Sequence, residues 1–193
     1  MRRSEAIKKI FENTHSDALF IFANGRIGRE AYVEQDRKGN FYMLSSMGKA
    51  ASIGLGVAMN APEKQVVVVD GDGNALMNMD NFAMVGYAGP TNMTHIVLDN
   101  KSHDTTGGQE SLSTKIDLSK VAEACGYANV WSVKTVDELG ECLEKCKEED
   151  GEKNGPSFVL VDINKDKYSV ARTPHHAPEV MRDRFMEAVG ASV

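Results

Sequence analysis

Cysteine is scarce in this chain, and the few present have no metal-site spacing. Cys125, Cys142 and Cys146 lack paired histidines, which excludes a zinc framework. Cys142 and Cys146 sit one turn apart on an expected helix, and all three read as reduced thiols. Long apolar runs are also missing, so no membrane-spanning helix is expected. The opening MRRSEAIKKIFEN reads as an amphipathic helix, not a leader, which makes the cytoplasm the expected compartment. Positive charge is in deficit: 22 Lys and Arg stand against 28 Asp and Glu, for a net charge of −6. That excludes a general affinity for nucleic acid or anionic membranes, so an anionic ligand would need local donors or a metal. Internal repeats and low-complexity segments are absent, which removes solenoids and disordered tails.

What remains is a globular balance, with 41% hydrophobic and 26% charged residues over 193 positions. This is enough for one domain with a substantial core, expected over 1–193 with a C-terminal arm from 168 to 193. Strand and helix patterns alternate along it. Helix is expected over Ser4–Glu12, with Ile7, Ile10 and Phe11 on one side, then a buried strand over Ala18–Phe22. Helix Ile27–Val33 and strand Phe41–Leu44 follow. A tight turn at Ser45-Ser46-Met47-Gly48 leads into a small-residue helix, Lys49–Asn60. Strand 66–70, helix 74–85 and strand 93–99 come next, then a polar loop from Lys101 to Lys115. Asp117 caps a helix to Cys125. Strand 129–133, a charged helix starting at Thr135 or Asp137 and running to about Glu149, a turn from Asp150 to Pro156, and strand 157–163 complete the pattern. Regular alternation of this kind predicts an α/β fold, a doubly wound, mostly parallel sheet with helices on both faces.

Chemistry concentrates between Gln65 and Gln109. Val66–Val69 forms an apolar run that ends in Asp70-Gly71-Asp72-Gly73, and Met93–Leu98 forms a second that ends in Asp99-Asn100. Parallel strands bring such ends to one edge of a sheet. There Asp72 offers a carboxylate and Asn100 an amide oxygen, which suits Mg²⁺ held by few protein oxygens and by phosphate. Gly71 and Gly73 allow the backbone to approach an anion. A helix from Asn74, with Leu76, Met79, Phe82 and Ala83 on one face, would aim N–H groups at it. Gly54 and Gly56 read as close-packing positions. A dinucleotide fingerprint is set aside because its third glycine is Met59 and the glycines lie inside the helix.

GDG followed, one helix and one strand later, by Asn resembles the metal–diphosphate motif of thiamine diphosphate enzymes. The wider text SSMGKAASIGLGVAMNAPEKQVVVVDGDGNALM…HIVLDNKSHDTTGGQ resembles the sulfopyruvate and phosphonopyruvate decarboxylases, in their diphosphate-binding half. The likeness extends from Ala18 to Ile163. It implies a thiamine diphosphate-binding fold, its pyrophosphate-binding domain, with thiamine diphosphate and Mg²⁺ as cofactors. It implies Asp72, Asn100 and the Ser102 carbonyl as metal ligands, the Ser45 carbonyl facing the aminopyrimidine, and Met47 supporting the bent cofactor. Ser46, Gly71, Gly73, Asn74 and His103 fall in the same cofactor-binding loops. Lys49, His103 and Thr105 are the candidates on the substrate side. Lys49 reads equally as a solvated helix residue, and His103 as a loop histidine. Met47 reads also as core. His15, His175 and His176 are expected at the surface, and His95 as a satisfied core residue.

Family enzymes also need a glutamate facing the aminopyrimidine, on a pyrimidine-binding domain. Nothing before Ala18 matches such a domain, so the resemblance implies the β subunit of a split enzyme, with the glutamate on an α partner and two of each chain as the simplest assembly. The substrate implied is a pyruvate carrying an anion at C3, either 3-sulfopyruvate or phosphonopyruvate. Two rivals stand beside this reading. One is another member of the same cofactor class, an oxidoreductase or acetolactate-type chain, although clustered cysteines for iron–sulfur centres are absent. The other is a non-catalytic, flavodoxin-like nucleotide-binding module.

Overall fold

Residues 1–147, 155–165 and 176–191 are described by the computed structural model. Its sheet grows outward from the valine run. The run forms β3 (Val66–Gly71), and every residue of it is buried, as in a parallel sheet covered on both faces. In chain order the elements are α1 (Arg3–Glu12), β1 (Leu19–Phe22), α2 (Arg26–Glu34), β2 (Asn40–Tyr42), α3 (Ala50–Asn60), β3, α4 (Asp72–Met77), α5 (Asp80–Ala88) and β4 (Met93–Asp99). They continue through a two-residue pair β5 (Ser102–His103) and β6 (Gln109–Glu110), a 3-10 turn at Leu112–Thr114, α6 (Leu118–Cys125), β7 (Asn129–Val133), α7 (Val136–Lys147), β8 (Ser157–Asp162) and α8 (Pro178–Val189).

Six strands pair in the order β2-β1-β3-β4-β8-β7, all parallel, so the expected doubly wound sheet is the one formed. Crossover handedness explains the layers. Connections stepping one way along the sheet lay their helices on one face, and those stepping back use the other. Accordingly α1, α2 and α7 cover one face, with Ile7, Ile10, Ala31 and Leu143 packed on Phe20, Val67, Ile96 and Val159. Helices α3, α5 and α6 cover the second, with Leu55, Phe82 and Ala122 packed with Val66, Val68, Val97 and Phe158. Helix α8 lies beside the edge strand β2. It places Met181 in the first cluster and Phe185 in the second.

Four expectations are corrected. The helix expected over 74–85 is broken at Asn78-Met79, and its apolar face differs, since Phe82 and Val85 are buried but Ala83 is exposed. At the break Asn78 Nδ2 donates to the Gly48 carbonyl at 2.9 Å, and Asn81 Nδ2 donates to the same oxygen at 2.7 Å. Strand β2 stops at Tyr42, because its single partner β1 stops at Phe22, and Leu44 is exposed. A Cβ on Gly54 would lie 2.2 Å from Val68 Cγ2, so its close packing is real, whereas Gly56 faces open space. His95 is buried with Nδ1 3.0 Å from the Tyr127 hydroxyl, but its Nε2 has no hydrogen-bond partner and lies 3.6 Å from Asp70 Oδ2.

Other expectations meet the structure directly. Asp117 caps α6 by accepting from Ser119 N, and Thr135 caps α7, which begins at Val136. Cys125, Cys142 and Cys146 form no disulfide, and the last two share the buried face of α7. His176, expected at the surface, is instead half-buried, its ring nitrogen 3.0 Å from Asp36 Oδ2. The turn expected at Asp150, the end of the charged helix at Glu149, His175 and the first part of the arm lie outside the described residues.

Candidate functional site

The strand order reverses between β1 and β3, and a crevice opens beyond the carboxyl ends at such a point. There the cleft is lined by Asn24 after β1, Gly71 to Asn74 after β3, Asn100, Ser102, His103 and Thr105 after β4, and Met47 from the turn before α3. Sequence-expected residues from three separate stretches therefore meet in one place, with Asn24 beside them. Ser45, Ser46 and Lys49 do not line this cleft. They sit exposed on the rim beside it, and Lys49 is the N-cap of α3. The enclosed space is about 80 Å³, far below the few hundred Å³ of a pocket that surrounds a whole small molecule.

The turn at Ser46-Met47-Gly48 is held in an unusual shape. Ser46 has φ 58° and Gly48 φ 81°, both left-handed. Only glycine fits the second, since a Cβ there would lie 2.7 Å from Asn78 Cβ. Gly48 N donates to Asn74 Oδ1 at 3.0 Å, while its carbonyl accepts from Asn78 and Asn81. Three asparagines, Asn74 in α4, Asn78 in the break and Asn81 in α5, thus clamp the turn that presents Met47, which is 39% exposed and lines the cleft. His103 closes the other side. Its ring packs against Gly73, where a Cβ would meet it at 2.9 Å.

Asp72 opens α4 and is 4% exposed. Burial pushes its carboxyl above the ordinary carboxylate value. The Asp99 charge adds to that, while hydrogen bonds from Ser111, the Gly73 N–H and Ser113 pull the other way. Ser113 Oγ lies 2.8 Å from Asp99 Oδ1 and 3.2 Å from Asp72 Oδ2, and its single proton can serve one of them at a time. Among the described residues no cation pairs with Asp72. Asn100 Oδ1 accepts from Ser102 N at 3.0 Å and keeps a second lone pair. Lys101 between them is left-handed, at φ 57°, with its N–H donating to Asp99 Oδ1.

A buried carboxylate without a cationic partner, an amide oxygen and nearby main-chain carbonyls form a donor set that fits a hard divalent cation completed by phosphate and water. No group of three or more His, Cys, Asp or Glu that could hold a metal by itself occurs among the described residues. The short α4, six residues, contributes less dipole than the longer helix expected, although its first residues, Asp72 to Asn74, line the cleft.

Sequence reasoning missed two cleft residues of one sign. Arg3 and Arg26 both line it, with guanidinium nitrogens 3.6 and 3.7 Å from Asp104 Oδ2. Arg3 belongs to the first helix, far from every motif, so no local signal marks it. Asp104 stands inside the quoted HDTTGGQ text and was open to notice.

Comparison with known proteins gives a family and relatives for this chain. Residues 26–161 match the model of the thiamine pyrophosphate enzyme, C-terminal TPP binding domain. The chain is 39% identical over 183 residues to a phosphonopyruvate decarboxylase of Streptomyces viridochromogenes, covering 95% of this chain and 45% of that protein. So the chain spans less than half the length of that relative. It is 36% identical over 193 residues to sulfopyruvate decarboxylase subunit beta of Methanocaldococcus jannaschii, covering 99% of this chain and 98% of that one. Among solved structures, thiamine diphosphate-dependent 4-hydroxybenzoylformate decarboxylase from Rhodococcus jostii RHA1 superposes with a TM-score of 0.73 at 14% identity, over 87% of this chain and 33% of that one. The shared fold, the cleft at its switch point and the matched domain model together place this chain in the thiamine pyrophosphate enzyme family, as a member of its C-terminal TPP binding domain.

Proposed function

We propose that this chain is the diphosphate-binding β subunit of a thiamine diphosphate-dependent decarboxylase that converts 3-sulfopyruvate to sulfoacetaldehyde and CO₂. The observation that carries the reading is the end-to-end match, at 36% identity, to a protein named sulfopyruvate decarboxylase subunit beta. In this reading Asp72, Asn100 and the Ser102 carbonyl hold Mg²⁺, and Gly71, Gly73, Asn74 and His103 surround the diphosphate. Met47 and the Ser45 carbonyl meet the organic rings, with Ser46 setting the turn. The cofactor, when bound, supplies a nucleophilic carbon and an electron sink for loss of CO₂. The protein's own part is to hold and orient. Buried Asp72 fixes the cation, the clamped turn fixes Met47, and His103 and Thr105 with Lys49 at the rim face the substrate's anionic end.

The small enclosed volume supports a site completed from outside, and the subunit naming of the relative supports an α partner that brings the pyrimidine-binding domain and its glutamate. We take residues 1–193 as one domain, with the arm from 168 docking through α8. Its two core clusters share one sheet, and α8 packs into both. No helix among the described residues is long and apolar enough to cross a membrane. We place the enzyme in the cytoplasm, a placement that three cysteines outside any disulfide support.

Decarboxylation of phosphonopyruvate is the second reading, favoured by the 39% identity to the Streptomyces enzyme. Co-purification with the α partner, followed by CO₂ release from both substrates side by side, tests the choice. A higher kcat/KM for sulfopyruvate is expected. A preference for phosphonopyruvate would transfer the assignment, and no release from either would remove it.

A further inference from the structure

We infer that Asp104 is a positioning residue that fixes which end of the Asn100 amide faces the cation site. The inference rests on the metal reading of Asn100 given above. An asparagine amide has two ends of opposite character, and its oxygen alone can ligate a cation. Asn100 Nδ2 donates to Asp104 Oδ2 at 2.8 Å, and Asn100 Oδ1 accepts from Ser102 N at 3.0 Å. An ionised carboxylate is acceptor-only and a main-chain N–H is donor-only, so both partners select the same orientation. Turning the amide over would break both bonds and aim an NH₂ at the cation.

Asp104 is itself held. Its Oδ2 lies 3.6 Å from Arg3 Nη1 and 3.7 Å from Arg26 Nη1, and its main-chain oxygen accepts from Arg26 Nη2 at 3.4 Å. Arg3, with a side chain 5% exposed, is anchored by Glu30 Oε1 through Nε at 3.0 Å and Nη2 at 2.8 Å. A chain of contacts, Glu30 to Arg3 to Asp104 to Asn100, therefore runs from α2 through the first residue of α1 to the end of β4. The two guanidiniums offset the Asp104 charge. That leaves it a hydrogen-bond partner for the amide and a weak competitor for the cation. The N-terminal helix, remote from every sequence motif, is thereby tied to the site.

The test uses the assembled enzyme with thiamine diphosphate and reads Mn²⁺ binding by electron paramagnetic resonance. Asp104→Leu should weaken Mn²⁺ by about 10–100-fold, the usual effect of losing a partner that orients a ligand, with the metal-free thermal midpoint little changed. Asp104→Asn keeps a side-chain acceptor for Asn100 Nδ2 and should stay within about threefold of wild type. If the leucine variant does not fold, Asp104→Ala carries the same comparison. Unchanged Mn²⁺ affinity in Asp104→Leu or Asp104→Ala would overturn the inference. So would an asparagine variant as impaired as the leucine one, since charge or direct ligation would then be what matters. Failure of the wild-type enzyme to bind Mn²⁺ with thiamine diphosphate would be a different result, removing the metal reading itself.

Discussion

Asp72 is a buried carboxylate at the cleft with no cation paired to it among the described residues. Its carboxyl is raised by burial and by the neighbouring Asp99, so in the metal-free protein its charge is held at a cost. Asp72→Ala should therefore abolish metal-dependent binding of thiamine diphosphate while leaving the metal-free thermal midpoint unchanged or slightly higher. Asn100→Ala should give a milder loss, since a neutral ligand contributes less. Isothermal calorimetry and a thermal scan read both, and undiminished cofactor affinity in Asp72→Ala would end the assignment. Two glycines of α3 make a second contrast. Gly54→Ala forces a methyl onto Val68 and should destabilise by about 1–3 kcal/mol, as overpacking does. Gly56→Ala meets nothing and should stabilise by about 0.4–1 kcal/mol through the unfolded chain. Denaturant midpoints separate the two. Sequence treated these glycines alike, because helical spacing alone does not say which face meets a strand. Asp72 and Asn100 were legible because each follows an apolar run, whereas Arg3 was not, its role being set by a partner 27 residues away.

At the level of elements, α7 shows a reciprocal cap. Glu138 Oε2 accepts from Lys134 N at 2.7 Å and Thr135 N at 3.0 Å, and Thr135 Oγ1 accepts from Glu138 N at 3.2 Å. The main-chain N–H of Lys134, then that of Thr135, holds the Glu138 carboxyl below its ordinary value of 4.5. A depressed carboxyl contributes stability that is fully present above 4.5 and is lost as pH falls through the lower folded value. Glu138→Gln should accordingly be less stable than wild type at neutral pH, with the two curves converging in acid. A Glu138 titration midpoint at or above 4.5 by nuclear magnetic resonance would contradict it. The cap was within reach of sequence as Thr135-x-x-Glu138. The break between α4 and α5 was not, because the Gly48 carbonyl that Asn78 and Asn81 bond there is brought to them only by the fold.

For the whole molecule, the decisive quantity is completeness of the site. The cleft encloses about 80 Å³, and exposed Met47, Met77 and Leu112 leave apolar surface on elements at or next to it. Purified without a partner and saturated with Mg²⁺ and thiamine diphosphate, this chain should show no decarboxylation at rates ordinary for an enzyme, even if it self-associates. Substantial turnover would mean that a group on this chain serves the aminopyrimidine, and the split-subunit reading would fall. Selectivity for a C3 anion over pyruvate should survive in the assembled enzyme, because Arg26, His103 and Thr105 are at the cleft. Lys49→Ala tests the rim: equal losses on sulfopyruvate and pyruvate, measured as kcat/KM, would remove Lys49 from the substrate side.

Sequence by itself determined the alternation of strand and helix, the parallel sheet it requires, and the two strand ends that carry Asp72 and Asn100. These follow from local periodicity and from residue types at the ends of apolar runs. Tertiary structure alone decided the clamp on Gly48, the split of α4 from α5, and the line of contacts from Glu30 through Arg3 and Asp104 to Asn100. Each of these depends on groups from different elements reaching the same few ångströms. Hydrogen bonds and ion pairs of that range are set by how the elements pack, and no spacing along the chain encodes them.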